Sequence, residues 1–202
     1  MTNPVKLVPI VMSVLFAFVA TLLTTSPAVA QNEEPALPEV RFVTTEGSFV
    51  LQLRPDVAPK TVENFLAYVN SGFYDGTIFH RVIPGFMVQA GGFDENLGRK
   101  QTRAPIVNEA TSTLPNLRGT IAMARTNAPD SATSQFFINV ANNDFLNAGV
   151  RGPGYAVFGK VTDGMGVIDR IAGVQTGYQR GMADVPVSPV IIESAEEITK
   201  DN

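Results

Sequence analysis

From Val40 onward the chain is divided into short β-type runs by Gly, Pro, Asn and Asp, and this pattern limits the folds open to it. The stretch "VRFVTTEGSFVLQL" contains two such runs joined around Glu46-Gly47, which is the signal of a hairpin. The further runs are "TIFHRV", "GFMVQAG", "GTIAMA", "SQFFINV", "YAVFGKV" and "PVIIES". Helices do not alternate with these runs, as a parallel α/β sheet would require, so the pattern predicts a closed or nearly closed antiparallel barrel.

Two stretches have helical periodicity instead. In "DVAPKTVENFLAYVNSG" the apolar residues fall on one helical face, namely Val62, Phe65, Leu66 and Val69. Pro59 suits the first turn of this helix and Gly72 suits its C-terminal cap. The second pattern, "GMGVIDRIAGV", places three apolar residues on one face, namely Val167, Ile168 and Ile171. We therefore expect two helices beside the strands.

The N-terminus has the pattern of an export signal. Lys6 precedes an apolar stretch from Leu7 to Leu23, and Ala28-Val29-Ala30 has the small-x-small form of a signal-peptidase site. The alternative is a transmembrane anchor, because the apolar stretch is about as long as the shortest membrane spans. The cleavage motif favours a signal peptide that ends near Ala30, and therefore a periplasmic protein without stable membrane association after cleavage.

The rest of the chain divides by composition. Residues 31–39, "QNEEPALPE", are polar with two prolines and are expected to form a flexible leader. Residues 40–196 carry the strand and helix patterns and form one predicted domain, since no linker or repeat interrupts them. Residues 197–202 are a polar tail.

The residue inventory excludes many kinds of site. With no cysteine, the chain has neither disulfides nor thiol chemistry, and with one histidine it lacks the ligands of a zinc site. A serine nucleophile would have to share His80, and no G-x-S-x-G turn is present. We therefore expect no metal and no cofactor. The formal net charge of −4 gives no electrostatic support for binding nucleic acid.

Strand alternation predicts a groove with an apolar floor. In "SQFFINV" Phe136 points with Ser134 and Ile138, while Phe137 points the other way beside Gln135. In "GFMVQAG" Met87 and Gln89 share a face, opposite Val88. Two neighbouring strands of this kind would pair apolar groups with amides on one surface. Such a surface suits the recognition of a peptide better than bond-breaking chemistry.

Four blocks carry a resemblance to a known family. The blocks "FHRVIPGFMVQAGG", "RGTIAMAR", "SQFFIN" and "YAVFGKV" resemble, in order and spacing, the signature blocks of cyclophilins, the peptidyl-prolyl cis-trans isomerases. The likeness runs from about Val40 to Ser194 and is greatest for the periplasmic bacterial cyclophilins. It implies a mainly β fold, a closed eight-stranded antiparallel barrel capped by two α-helices. It also implies rotation about X–Pro bonds of exported proteins, which assists their folding.

The resemblance also implies a set of site residues. Arg81 matches the catalytic arginine. The proline pocket would consist of Phe86, Met87, Phe137 and Leu146. Gln89 and Gln135 would line the groove and hold Arg81 and the substrate backbone, and Ala124 and Arg125 would contact the residues that flank the proline.

Phe145 and Tyr155 would also contact the substrate, and three of the substrate-binding positions depart from the best-known eukaryotic members. Phe145 stands where they have tryptophan, Arg125 where they have asparagine and Tyr155 where they have histidine. The tryptophan donates an indole N–H to cyclosporin in those members, so we expect weak cyclosporin binding here. Arg125 is either a solvated side chain or a contact that tunes substrate preference.

Arg81 and His80 are expected to have different roles. A guanidinium is always charged and can favour the twisted peptide bond, whereas His80 lies on the opposite face of its strand and is expected to be structural. The expected partners are proline-containing unfolded or partly folded polypeptides, bound by a monomer. The alternative is a binding module or chaperone that uses the same groove without turnover, for which Arg81 would be dispensable.

Overall fold

The computed structural model describes residues 1–2 and 36–198. The predicted signal peptide beyond its first two residues, most of the leader and most of the polar tail lie outside these residues. The strands are β1 (Glu39–Thr44), β2 (Gly47–Leu53), β3 (Arg81–Ile83), β4 (Met87–Ala90), β5 (Thr120–Met123), β6 (Phe136–Asn139), β7 (Val157–Asp163), β8 (Thr176–Gln179), β9 (Met182–Pro186) and β10 (Ile192–Ile198). The helices are α1 (Pro59–Asn70) and α2 (Met165–Ala172), with a short 3-10 helix at Asp144–Leu146.

Eight strands form one antiparallel sheet in the order β10-β1-β2-β7-β5-β6-β4-β3. The number of strands and the two helices agree with the prediction. The predicted closure of the barrel is wrong, because β3 and β10, the two edge strands, do not pair with each other in the part of the chain that the structure describes. The sheet is a curled half-barrel.

The two edge strands do not lie opposite each other where the edges of the sheet meet. The segments that lead into them form an isolated antiparallel bridge between Ile78 and Ile191, with the Phe79 amide donating to the Val190 carbonyl at 3.0 Å. In this register β3 lies opposite residues that precede β10, so β3 and β10 have no residues to pair with each other. Pro189, just before the bridge, has no amide hydrogen with which to extend it.

The sequence patterns missed the hairpin of β8 and β9. These strands form a separate two-stranded sheet. The segment lacks a continuous β-type run, and three of its residues have positive φ, namely Arg180 (45°), Gly181 (84°) and Asp184 (62°). The hairpin matters for the site because it brings Asp184 next to Arg81.

Helix α1 begins and ends as its sequence predicts. Pro59 occupies its first turn, and Gly72 follows the end of the helix with a φ of 63°, the left-handed conformation that favours glycine. Phe65 points from α1 into the sheet, where its ring centroid lies 5.0 to 6.1 Å from those of Phe42, Tyr74, Phe136 and Phe158. These contacts fix α1 on the sheet.

Helix α2 packs its predicted face, Val167, Ile168 and Ile171, into the same core. Within the described residues no helix combines the length and the apolar character needed to cross a membrane.

Candidate active site

The alternation of β6 separates the main core from a second apolar cluster. Phe136 and Ile138 are fully buried in the main core. Phe137 points to the opposite face, where it joins Met87 of β4 in the second cluster. Strand β6 lies between β4 and β5 in the sheet, so its side chains are held from both sides. The second cluster therefore forms a rigid apolar floor on the outer face of the sheet.

A pocket of about 120 Å³ opens above this floor. It is lined by Arg81, Phe86, Met87, Gln89, Ala124, Arg125, Phe137, Leu146 and Tyr155. The structure thus brings together nine of the eleven predicted site residues around one pocket. The other two, Gln135 and Phe145, lie next to the lining residues.

Arg81 lies at the polar rim of the pocket. It is the first residue of β3 and is paired with Gln89 in the register of β3 and β4. Its Nε atom lies 3.8 Å from a carboxylate oxygen of Asp184, and 43% of its side chain is exposed. An ion pair so long and so exposed contributes little to stability. The guanidinium, which is always charged, therefore lies at an apolar pocket and is accessible to a ligand.

Gln135 fixes the side chain of Gln89 by a hydrogen bond. Gln89 donates a hydrogen bond to the side-chain oxygen of Gln135 at 2.9 Å. Gln135 lies against Gly92, where a Cβ atom would come within 2.5 Å of the amide nitrogen of Gln135. Glycine at position 92 leaves room for this amide, and the amide in turn fixes Gln89 at the pocket.

His80 is buried beneath this rim. It is 5% exposed, its ring centroid lies 4.6 Å from that of Phe93, and its Nδ1 atom has no hydrogen-bond partner among the described residues. Burial lowers the pKa of His80 to about 4, although the Ile78 backbone and the Gln135 side chain act in the opposite direction. The imidazole is neutral at pH 7, in keeping with a structural role.

Arg125 and Tyr155 form part of the pocket wall. The Arg125 guanidinium lies over the Tyr155 ring, 4.4 Å from its centroid, and donates to the Gly154 carbonyl at 2.9 and 3.1 Å. The Tyr155 ring meets Phe137 edge-on, with 5.7 Å between the centroids. Arg125 is therefore held by stacking and hydrogen bonds.

Phe86 is held in place by the side-chain amide of Asn143. Asn143 donates to the Phe86 carbonyl at 2.9 Å and to the side-chain oxygen of Asn139 at 2.7 Å. Phe145 stacks on Phe86 with 5.6 Å between the ring centroids. Phe145 therefore extends the apolar wall outward from the pocket.

Three residues near the site were missed from the sequence. Asp184 faces Arg81 from the hairpin of β8 and β9, Asn143 supports Phe86, and Arg151 lies over the Phe145 ring at 5.1 Å. Asn143 and Arg151 lie in loops, which give no periodic signal, and Asp184 lies in β9, a strand that the sequence patterns missed.

Comparison with known proteins identifies the family of this chain. The family model for cyclophilin-type peptidyl-prolyl cis-trans isomerases matches residues 39–197. A peptidyl-prolyl cis-trans isomerase of Streptomyces antibioticus is 60% identical over 160 residues, which cover 78% of this chain and 96% of that protein. Peptidyl-prolyl cis-trans isomerase A of Dickeya dadantii is 54% identical over 182 residues, 90% of this chain and 94% of that protein.

A solved structure has the same fold. It is a cyclophilin-type peptidyl-prolyl cis-trans isomerase of Cryptosporidium parvum, crystallised in the presence of the dipeptide Ala-Pro. It superposes with a TM-score of 0.67 at 27% identity and covers 80% of this chain and 99% of its own.

Proposed function

The chain belongs to the cyclophilin-type peptidyl-prolyl cis-trans isomerase family and is an isomerase of X–Pro peptide bonds, and we propose that Arg81 is its catalytic group and exported proteins its substrates. One observation carries the assignment of Arg81. A half-exposed guanidinium lies at the rim of a small apolar pocket, next to an amide that is fixed by a second amide.

The reaction needs a rotation and no bond cleavage. An X–Pro amide resists rotation because its nitrogen lone pair is conjugated with the carbonyl, which gives a barrier of about 18–20 kcal/mol. In the twisted state the lone pair is free and the nitrogen can accept a hydrogen bond. A guanidinium N–H that donates to this nitrogen interacts with the twisted state more strongly than with the planar one. That difference lowers the barrier.

The other groups have supporting roles in this proposal. The proline ring lies on the floor of Met87 and Phe137, between Phe86 and Leu146. Gln89 contacts the peptide backbone near Arg81, and the carbonyl side of the bond rotates while the ring is held. A rate increase of about 10³ to 10⁵ needs roughly 4–7 kcal/mol of differential stabilisation. One charged hydrogen bond in a partly desolvated site, together with positioning, supplies energies of this order.

Export is supported by the N-terminal pattern. Residues 1–30 combine a positive charge, an apolar stretch and a cleavage motif. The similarity to the Dickeya dadantii relative covers 182 residues and so extends beyond the 39–197 range of the family model. Mass spectrometry of the protein purified from cell envelopes tests this, because cleavage after Ala30 gives an N-terminal Gln31.

Cyclosporin should bind weakly. The best-known eukaryotic cyclophilins have a tryptophan at the position of Phe145, and phenylalanine has no N–H group to donate. We expect Phe145→Trp to strengthen inhibition by cyclosporin without a large change in isomerase activity. A submicromolar inhibition constant for the wild-type protein would contradict the proposal.

The decisive experiment for catalysis compares arginine variants on a proline-containing peptide. Arg81→Ala should reduce kcat/KM about 100- to 1,000-fold, the usual loss when one transition-state donor is removed. Arg81→Lys should recover little, because lysine lacks the rigid fork of donors. Arg41→Ala removes an exposed arginine from β1 and serves as the control.

The affinity of the wild-type protein and of the same variants for unfolded polypeptides separates catalysis from binding without turnover. If Arg81→Ala keeps near-wild-type turnover, the mechanism is wrong. If it loses turnover but keeps its affinity for unfolded polypeptides, the groove also serves as a binding site independently of isomerisation.

A further inference from the structure

A second hollow lies beside the proline pocket and is larger than it, about 340 Å³. Its rim carries Arg125 and Arg151, and its walls include Phe145 and Tyr155. We call it the arginine hollow. Arg125, Leu146 and Tyr155 line both hollows, so the two cavities adjoin. A peptide whose proline lies in the first pocket would pass into or over the second.

The positive charge of Arg125 is already positioned for a ligand. Its guanidinium lies 4.4 Å from the Tyr155 ring centroid and donates to the carbonyls of Gly154 and Thr126. These contacts use three of its five N–H groups and neutralise none of its charge. Because the side chain is fixed before binding, little conformational entropy is lost when an anion arrives.

Arg151 provides a second charge at the same rim. It is exposed and lies over the Phe145 ring at 5.1 Å. Among residues 36–198, neither Arg125 nor Arg151 takes part in an ion pair, whereas Arg54, Arg81 and Arg118 each have an Asp partner. No Asp or Glu lines the arginine hollow.

The hollow is thus a positive site on an acidic protein. The formal net charge of the chain is −4, so a general attraction for anions is not expected from the whole molecule. Arg125 and Arg151 each lie over an aromatic ring and have no carboxylate partner among the described residues. The fork of N–H donors on a guanidinium matches the planar, two-oxygen geometry of a carboxylate. A substrate polypeptide carries that group on Asp and Glu.

We propose that the arginine hollow binds the side chain of an Asp or Glu that lies near the isomerised proline, and that the enzyme therefore prefers acidic sequences around X–Pro bonds. The proposal rests on the proposed function, because it takes the proline to occupy the neighbouring pocket. An extended peptide advances about 3.3 Å per residue. The acidic residue would thus lie within about three residues of the proline.

The experiment uses matched pairs of peptides that differ only by Glu or Gln at one position. The pairs scan three positions on each side of the proline, and cis-trans exchange is followed by NMR so that no coupling protease is needed. We expect kcat/KM to be about three- to tenfold higher for Glu than for Gln at one or two positions, as for a partly exposed charged pair. The preference should shrink when NaCl is raised from 0.05 to about 0.5 M.

Variants assign the preference to the hollow. Arg151→Gln should reduce the Glu preference, the ratio of kcat/KM for the Glu and Gln peptides of a pair, to less than about twofold. Arg151→Glu should abolish the preference, because it leaves the hollow with one positive and one negative side chain. Arg41→Gln removes an equally exposed arginine from β1 and should leave the preference intact. Arg125→Gln should weaken the preference as well, and circular dichroism checks that its loop contact is not needed for folding.

The possible results are distinct. If all Gln peptides are isomerised efficiently but no position prefers Glu, the arginine hollow is not an acidic subsite, although the enzyme's activity stands. If a preference exists but survives Arg151→Gln and Arg125→Gln, another group provides it and the proposal is wrong. If neither Glu nor Gln peptides are isomerised faster than in buffer, the failure lies with the proposed function.

Discussion

The adjacent residues His80 and Arg81, just before β3 and at its start, serve opposite purposes in this protein. His80 is buried and uncharged, whereas Arg81 is half-exposed and charged. Side chains alternate along an extended chain, so the two residues point in opposite directions. A substitution of His80 therefore affects the core, and a substitution of Arg81 affects the groove.

Burial of His80 predicts a loss of stability in mild acid. The folded-state pKa of about 4 lies below the value of 6.5 for an exposed histidine, so the unfolded chain binds more protons between these pH values. The contribution of His80 is fully present above pH 6.5 and is lost as the pH falls towards 4. The total loss is about 3 kcal/mol, at ~1.4 kcal/mol per pKa unit.

Urea unfolding at several pH values measures this loss. Acidic side chains also titrate in this range, so the comparison is with His80→Gln, which cannot titrate at this position. The slope of unfolding free energy against pH should be smaller in the variant. Equal slopes would mean that the imidazole is accessible to protons in the folded state.

The individual site residues were predictable where alternation and block spacing acted together. Phe137 was expected opposite Phe136, and the structure separates the two into different apolar clusters. Arg151 was not predictable, because a loop has no period. Asp184 was not predictable, because its strand β9 was missed and its neighbour Arg81 is distant in sequence. Gln89 and Gln135 were expected to line the groove and hold Arg81 and the substrate backbone, and in the structure Gln89 donates to Gln135.

At the scale of elements, α1 depends on a residue far from it in sequence. Its N-cap residue, Ala58, offers no side-chain hydrogen bond. Instead the Glu109 carboxylate accepts from the Thr61 amide and hydroxyl, both at 2.7 Å, and from the Lys60 amide at 3.2 Å. A carboxylate at this end of a helix satisfies free N–H groups and complements the helix dipole.

Removal of this distant cap should destabilise the protein. We expect Glu109→Ala to lower the free energy of unfolding by about 2 kcal/mol, because it leaves the buried Thr61 hydroxyl without its acceptor. Urea unfolding checks this, with Glu63→Ala on the exposed face of α1 as the control. A loss no larger than that of the control would show that water replaces the carboxylate.

A second element-scale contact links the loop after β6 to the pocket. Asn143 is 3% exposed, and its amide binds the Phe86 carbonyl. Asn143→Ala should cost about 1–3 kcal/mol of stability and should raise KM for short peptides more than it lowers kcat, because Phe86 loses its support. Steady-state kinetics measures both, with the exposed Asn96→Ala as the control. An unchanged KM would show that Phe145 alone holds Phe86.

Element prediction succeeded for runs with a clear period and failed where backbone geometry decides. The helices and the strands of the large sheet follow from their apolar patterns. The hairpin of β8 and β9 depends on positive φ at Arg180 and Asp184. Neither residue type by itself indicates such a backbone conformation. Closure of the sheet depends on how two distant edges meet, and local patterns carry no information about that distance.

At the scale of the whole molecule, the order of the sheet predicts uneven protection of its amides. Strand β6 has hydrogen-bonded neighbours on both sides, whereas β3 is three residues long and pairs only with β4. Amides at the edge of a sheet are released by local opening, and those in its middle require more extensive unfolding. Hydrogen exchange followed by NMR should therefore show slower exchange in β6 than in β3. Equal protection would mean that β8 and β9 stabilise the β3 edge as firmly as a paired strand.

The position of Arg81 on this edge has a consequence for how the enzyme handles a moving substrate. The floor that receives the proline belongs to the interior strands β4 and β6, while the guanidinium belongs to a three-residue edge strand. As the carbonyl side of the bond rotates, the nitrogen stays in the seated ring, but its lone pair turns out of conjugation. A donor on an edge strand can align with that lone pair by small adjustments while the ring stays on the floor.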